Sequence, residues 1–586
     1  MWKSYYADPT DFFANDKVER CDCYVNGELA ETLPCKPEAN DVKQIFFAGD
    51  KARVVNLPDG TAYTLPSADF TPDYFWSAQR SRYVSEQFIL NVSREDKNPY
   101  ANKEGCWNIY LTEWLERYIA DDNFLHDNNI LRTRPTAERE DMLAGYAVRN
   151  YDLYINDPCE IAMPYYNIAV VRKLDSNIVF HLFVMKSATD MTEAFDRMIR
   201  SFTEMWRIGV ARNADVSFDC PTPDYWNDET KAYYEKLKSQ SHTEWGFFRA
   251  SMVDKDDSSF DYQDKRIEAD YNRMKTLLGG YDYEIMPTYT HLLYGTRPNA
   301  FPMEQALKFA GGNGFNGKPV LQFTYQFTAS NNVDLAAYTP TFDIMRGKFD
   351  DQLRQLARDI KAYRHPVLFR LNNEMNTDWT SYSGIVNLLD PDVFVFTWER
   401  LYRIFMEEGV DNTMWIFNPI SVSTPYSNWG EYYTYIPKPA CVQILGLTAY
   451  ERGNEPDDYH SFESHYRRLF QKNQPYFDNF PWVISEFGAG AGGAANYDYE
   501  AGKWLYRPQG RHLAQQVQWI DEMFECFARR DEPGYEFVKN IKGAIWFGAN
   551  DYATIDGKDY VMNYFELDDG VLPAIEALGR GLKNQP

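Results

Sequence analysis

The chain has 586 residues, 44% of them apolar and 25% charged, with a net charge of −26. That length is too great for one compact core, so two or three domains are expected. The acidic balance argues against a nucleic acid or an anionic membrane surface as partner.

The eight cysteines are sparse for this length, and only Cys21 and Cys23 stand close together. No disulfide framework, CxxC pair or Cys/His cluster follows from their spacing, so neither zinc nor any other cofactor is expected. The amino-terminal MWKSYYADPTDFF has no basic segment followed by an apolar core, so no signal peptide is read there. No apolar run reaches membrane-spanning length. The expected localisation is cytoplasmic, or secreted if a leader has been trimmed.

Residues 1–210 are expected to form an α+β accessory domain. Asn56-Leu-Pro-Asp-Gly60 reads as a turn, 84–92 as a strand and 107–119 as a helix. Three runs, 146–155, 165–171 and 178–185, read as successive antiparallel strands, with Asp175-Ser176-Asn177 turning between the last two. Over 189–206, Met191, Ala194, Met198, Phe202, Met205 and Trp206 fall on one helical stripe behind a Thr189 or Asp190 cap. Packing against the next domain is the expected role of this region, with carbohydrate binding as the alternative. Residues 211–243 read as a linker whose second half, 229–238, is helical.

From Trp245 onward apolar runs alternate with amphipathic ones, the signature of repeated βα units. Strands are expected at 245–250, 284–289, 320–328, 367–371, 414–417, 442–448, 482–484 and 541–547. Helices are expected near 262–278, 301–310, 342–363, 393–408, 462–470, 511–529 and 571–579. Eight such strands over 244–586 predict an α/β fold of the (β/α)8 barrel type.

Two glutamates stand where apolar strands of this barrel run out. Glu374 follows 367–371 in HPVLFRLNNEMN, and Glu486 follows 482–484 in PWVISEFG. The carboxyl ends of the strands are where such barrels place their chemistry. Breaking a glycosidic bond needs a proton for the leaving oxygen and an anion beside the cationic sugar carbon. At about 5–5.5 Å the second carboxylate attacks and configuration is retained; at about 6.5–9.5 Å a water fits and it is inverted. Aromatic residues, 16% of the chain, fill large cores and also suit stacking on the C–H faces of sugar rings.

Asn373-Glu374 at the fourth strand and Ser485-Glu486-Phe487-Gly488 at the seventh resemble the retaining glycoside hydrolases of clan A. The finer text is most similar to glycoside hydrolase family 26, a family of many endo-β-1,4-mannanases with some β-1,3-xylanases and mixed-linkage glucanases. Arg370-Leu-Asn-Asn373-Glu374-Met375-Asn376-Thr377-Asp378-Trp379 follows that family's fourth-strand R-P-x-H-E-M-N-G-x-W, with Asn373 in the place of His and Thr377 in the place of Gly. Asn412-Thr-Met-Trp415-Ile-Phe-Asn418-Pro419 resembles its fifth strand. Leu445-Gly-Leu-Thr-Ala-Tyr450 resembles its sixth, with Thr448 where Asp is usual. The resemblance runs from about Trp245 to the carboxyl terminus. It implies Glu374 as acid/base, Glu486 as nucleophile, Asn373 on the sugar 2-hydroxyl, Tyr450 bonded to the nucleophile and Trp379 flooring the pocket.

Other candidates follow from position alone. A phenol at Tyr450 donates one hydrogen bond to a carboxylate without adding charge. Arg370 points toward a carboxylate or closes the barrel bottom. Trp546 is a stacking platform or core. His291, Tyr325 and Gln326, after the second and third strands, are candidate subsite residues. Gly488, Gly490 and Gly493 match GxGxxG, but no helix opens there, so a nucleotide is not expected and the stretch reads as a flexible loop rimming the cleft. Asp254-Lys-Asp256-Asp257 lacks the glycine and closing glutamate of a calcium loop. The expectation is a retaining endo-β-glycanase acting on a polysaccharide or oligosaccharide, first β-1,4-mannan. The alternatives are a β-1,3- or mixed-linkage glucanase, a xylanase, or a non-catalytic carbohydrate-binding protein.

Overall fold

The computed structural model describes residues 222–585 apart from 250–270, 293–300, 304–305, 308–318, 329–339, 378–379, 385–386, 388–390, 424–434, 452–458, 478–479, 499–502, 509 and 568–571. Ahead of these it describes strand segments between 2 and 214. Among those segments, Tyr146–Ile155, Tyr165–Lys173 and Val179–Met185 form an antiparallel meander, with Tyr154 opposite Tyr165 and Arg172 opposite Val179. The stretch expected as one strand over 84–92 is two, Arg80–Val84 and Ile89–Glu95, which run antiparallel with Val84 opposite Ile89. The helices expected over 107–119 and 189–206 lie outside the described residues, as does the acidic run at 254–257. Arg82 is buried, with its guanidinium 4.4 Å from the centre of the Phe342 ring on a barrel helix.

Eight parallel strands close into a barrel: β1 (Glu244–Arg249), β2 (Ile285–His291), β3 (Val320–Gln326), β4 (Val367–Leu371), β5 (Thr413–Phe417), β6 (Ile444–Glu451), β7 (Trp482–Ala489) and β8 (Ile541–Gly548), with β8 paired back to β1. Nearly every residue of β3, β4, β5 and β7 is buried, because a parallel strand in a barrel is covered on both faces. Helices Asp350–Tyr363, Pro391–Glu407, Phe462–Phe477, Leu513–Ala528 and Leu572–Lys583 stand outside the strands. In Asp350–Tyr363, Leu353, Leu356, Ala357, Ile360 and Tyr363 are the buried stripe, at the three-and-four spacing of one helix face. The helix expected over 342–363 is broken into Thr341–Met345 and Asp350–Tyr363. Gly347 lies between them at φ +82°, a conformation that glycine adopts without a Cβ penalty.

Alternate strand residues point inward. Ile285, Val320, Leu368, Met414, Ile416, Ile444, Val483 and Ile545 form one apolar cluster, and Trp226, Tyr233, Tyr234 and Leu237 join it from outside the strands. These four come from helix Asp228–Ser239 and the turn before it, in the segment expected to be a linker. The helix is capped by Asn227, whose side chain accepts from the Thr230 amide at 2.8 Å, and has Asp228 and Glu229 in its first turn. The Tyr234 hydroxyl donates to the Gln443 carbonyl ahead of β6, and Asn227 bonds the Asp411 and Arg364 carbonyls ahead of β5 and β4. All three contacts are at the amino ends of strands. Residues 226–239 are therefore the floor of the barrel, which corrects the linker reading for this stretch.

Candidate active site

At the opposite, carboxyl-terminal mouth, the inward positions turn polar. On β4, Leu368 belongs to the floor cluster and Arg370, two residues on, faces the same way. On β3 Thr324 and Gln326 do so, on β2 Tyr289, on β5's end Asn418, and on β6 Thr448 and Tyr450. Gly446, below Thr448, is required by this packing, since a Cβ there would stand 2.5 Å from Asn418 Oδ1.

Glu486 reaches this interior by a break in the strand pattern. Val483 is inward and Ile484 outward, so strict alternation would send Glu486 out toward the helices. In the pairing, Ile484 sits opposite Ala544 and Phe487 opposite Trp546; on the other side Val483 faces Gly446 and Glu486 faces Thr448. Three residues of β7 thus span two on each neighbour, a β-bulge, and the extra residue rotates Glu486 inward.

The Glu486 carboxylate is 7% exposed and heavily hydrogen-bonded. Its Oε2 accepts from both terminal nitrogens of Arg370, each at 3.0 Å, and from the Tyr289 hydroxyl at 3.1 Å. Its Oε1 accepts from the Tyr450 hydroxyl at 2.6 Å. Arg370 is fully buried, gives its Nε–H to Thr324 Oγ1 at 2.8 Å, and lies 5.0 Å from the centre of the Tyr289 ring. Burial opposes the charged guanidinium, yet Tyr289, Glu486 and Glu374 outweigh it, and its pKa goes up. Burial first, with the charges of Glu486 and Glu374 added, holds the Tyr450 phenol well above its usual pKa. For Tyr289 burial is again the main cause, opposed by Arg370 and reinforced by Glu486. Both phenols therefore stay protonated and donate.

Glu374 is 8% exposed and sits at φ +60°, two residues after Asn372 at φ +46°. Left-handed backbone at non-glycine residues costs about 1–3 kcal/mol each, and here neighbouring groups hold it. The Glu374 amide donates to the Asn418 carbonyl at 2.8 Å, Thr377 Oγ1 donates to the Glu374 carbonyl at 2.7 Å, and Asn372 Oδ1 accepts from the Phe327 amide at 2.8 Å. Asn376 ties this turn to the loop after β5, exchanging bonds with Ile420 and reaching Ser423. Asn373 Oδ1 accepts from Gln326 Nε2 at 2.8 Å, and its carbonyl accepts from the buried Tyr382 hydroxyl at 2.7 Å. With the amide oxygen so engaged, the Asn373 amino group is the end left to point elsewhere. Burial first, then the Glu374 charge, raises the Tyr382 pKa.

The structure therefore gathers Arg370, Tyr450 and Glu486 into one network, pairs Asn373 with Gln326, and holds the neighbouring Glu374 through Asn418 and Thr377. The carboxylate of Glu374 acts electrostatically on Arg370, Tyr289 and Tyr450. His291 is buried near the end of β2 with Nδ1 2.6 Å from Thr328 Oγ1. Tyr325 is outward, among Phe323, Phe327 and Phe369. Trp546 is also outward: fully buried, it packs on Phe487 and Trp519 between barrel and helices, which corrects its placement as a cleft platform. The inward residue of β8 at the mouth is Phe547, stacked on Phe248 at 4.7 Å and edge-on to Tyr289 and Tyr450. Trp379 lies outside the described residues. After β7 the chain forms a hairpin of Ala495–Asp498 and Lys503–Tyr506 where a loop was expected. Tyr289 and Tyr382 were not singled out from sequence. Tyr289 could have been found by counting in twos from Ile285; Tyr382 lies in a loop with no periodic signal.

Among the described residues no group of three or more His, Cys, Asp or Glu is arranged to hold a metal, and no helix is long and apolar enough to cross a membrane. No protein-family model matches the chain. Endoglucanase H of Acetivibrio thermocellus is 27% identical over 156 residues, which cover 25% of this chain and 17% of that protein. The chain thus matches under a fifth of the length of that relative. Solved structures similar to it include the catalytic domain of a Bacillus sp. JAMB-750 endo-β-1,4-mannanase, with 15% identity, 61% of this chain and 90% of that one covered, and a TM-score of 0.41. A β-mannanase from a symbiotic protist of the termite Reticulitermes speratus gives 12%, 63%, 98% and 0.39. The modular endo-β-1,4-mannanase of Cellulomonas fimi gives 15%, 62%, 75% and 0.39.

Proposed function

We propose that this protein is a retaining endo-β-glycanase whose nucleophile is Glu486 and whose acid/base is Glu374. The observation that carries the reading is the Glu486 carboxylate, inverted into the barrel mouth by a bulge and held by Arg370, Tyr289 and Tyr450. A buried carboxylate that accepts from a guanidinium and two phenols is fixed in direction, as an attacking group must be. Oε2 takes three donors and Oε1 one, so Oε1 is the oxygen that attacks the anomeric carbon. Glu374 gives its proton to the departing glycosidic oxygen. Once Glu486 is esterified its charge is gone, and Glu374, now the carboxylate, takes a proton from the water that releases the sugar. In this reading the Asn373 amino group, its amide oxygen engaged by Gln326, donates to a sugar hydroxyl.

β-1,4-Mannan is the substrate we propose first, on the fourth-strand resemblance. A β-glucan is the second reading: Asn373 replaces the histidine of that motif, and the relative matched over 156 residues is named an endoglucanase. Incubation with mannan, glucomannan, lichenan, laminarin and xylan, with products sized and their initial anomer followed by NMR, tests both. Glu486→Ala is expected to lose at least about a thousandfold in kcat/KM and to regain turnover with azide, giving a glycosyl azide of inverted configuration. Wild-type products that first appear with inverted configuration would sink the double displacement.

A further inference from the structure

The two segments that follow β7 and β8 are hairpins, and they are joined. Ala495–Asp498 pairs with Lys503–Tyr506, and Asp551–Ile555 pairs with Lys558–Asn563. The Ala494 amide donates to the Val561 carbonyl, Ala491 to Tyr564, and Tyr564 back to Gly492. Gly493 lies so close to Met562 that a Cβ would stand 2.1 Å from its carbonyl oxygen. The pair is thus one hydrogen-bonded extension of the barrel mouth.

This extension carries aromatic rings in the open. Tyr506 is 54% exposed, and its ring lies 4.6 Å from that of half-buried Tyr560 on the other hairpin. Lys558 stands 5.0 Å over the Tyr560 ring, and Arg507 is exposed beside Tyr506. The second hairpin meets the candidate cleft through a buried contact at its base. Phe565, at the base of the second hairpin, contacts Tyr450 at 4.9 Å, and Tyr450 donates to Glu486. Tyr560 is five residues back along the chain from Phe565, at most about 17 Å of extended backbone.

We propose that Tyr506 and Tyr560 form a distal subsite that stacks a sugar ring of an uncharged polysaccharide strand leaving the cleft, with Arg507 and Lys558 donating to its hydroxyls. The proposal rests on the glycanase reading. Amphipathic tyrosine rings suit the C–H face of a pyranose and the hydroxyls around it, and a net charge of −26 disfavours a polyanionic strand.

The test compares wild type with a Tyr506→Ala/Tyr560→Ala double variant and the matching double Phe variant. KM is measured on a polysaccharide of the panel and on an aryl glycoside of a trisaccharide. Retardation in polysaccharide-containing native gels is measured in a Glu486→Ala background. The Ala pair is expected to raise the polysaccharide KM about tenfold, to leave the trisaccharide unchanged, and to lose gel retardation; the Phe pair retains both. An unchanged polysaccharide KM with wild-type cleavage intact overturns the subsite and leaves the glycanase standing. If wild type cleaves no member of the panel, the gel decides alone. Retardation lost in the Ala pair upholds the subsite, and retardation that is unchanged or absent overturns it.

Discussion

At the scale of single residues, the candidate site is a problem in holding a buried negative charge. Glu486 receives three donors on one oxygen and one on the other, and each bond to an ionised group contributes about 1.5–3 kcal/mol. Tyr289→Phe removes one donor without emptying the volume. A kcat lower by about ten- to a hundredfold with little change in KM is expected, and an unchanged kcat would show that Tyr289 is only packing. Gln326→Ala frees the Asn373 amide to flip. If the amide presents its amino group to the sugar, KM and kcat both suffer on the polysaccharide, and Gln326→Glu, which cannot donate to Asn373, does not restore them. Asn373, Glu374 and Glu486 were legible in sequence because they closely follow apolar strands. Tyr382 was not, because its contact with Asn373 depends on how a loop folds back.

Among elements, the β7 bulge and the floor helix decide most. The expected seventh strand ended at Ile484, where alternation fails; the strand continues to Ala489, with the bulge absorbing the failure. A two-residue count likewise separates Phe547 from Trp546: parity sends the first inward and the second into the helix layer, a distinction that an apolar run read as a whole does not make. The floor helix looked like a connection because its sequence is polar over most of its surface. Leu237 is fully buried in the floor cluster, and Leu237→Ala is expected to cost about 2–5 kcal/mol, read as a lower urea midpoint of tryptophan fluorescence. A cost below about 0.5 kcal/mol would mean the helix is not part of the barrel's cooperative unit.

For the whole molecule, stability should bend with pH in two opposed ways. Burial raises Glu284 to about 7, above its unfolded value of about 4.3. The folded state then holds the extra proton, so this group's contribution is full below about pH 4.3 and is lost as pH rises toward 7. Burial lowers His465 to about 4, below its unfolded value of about 6.5. Its contribution is full above about 6.5 and is lost as pH falls toward 4. Between about pH 4.3 and 6.5 the two slopes are opposite and offset each other, so wild-type urea midpoints are expected to be nearly flat there. Glu284→Gln removes the falling limb and should unmask a midpoint that rises with pH between about 4 and 6.5, whatever it does to the absolute midpoint. A variant slope equal to that of wild type would place the titration elsewhere.

Sequence alone determined that the second part of this chain is a (β/α)8 barrel, because strands buried on both faces must be written as short apolar runs and their helices as amphipathic ones. It also marked Glu374 and Glu486 as candidates, since each stands where an apolar run gives out near the carboxyl end of a barrel strand. Tertiary structure decided which way each side chain points. The direction of Glu486 depends on one extra residue in β7 measured against both neighbours, and the donors that hold it come from β2, β4 and β6. Register and closure bring those strands together, and neither is a property of any one segment.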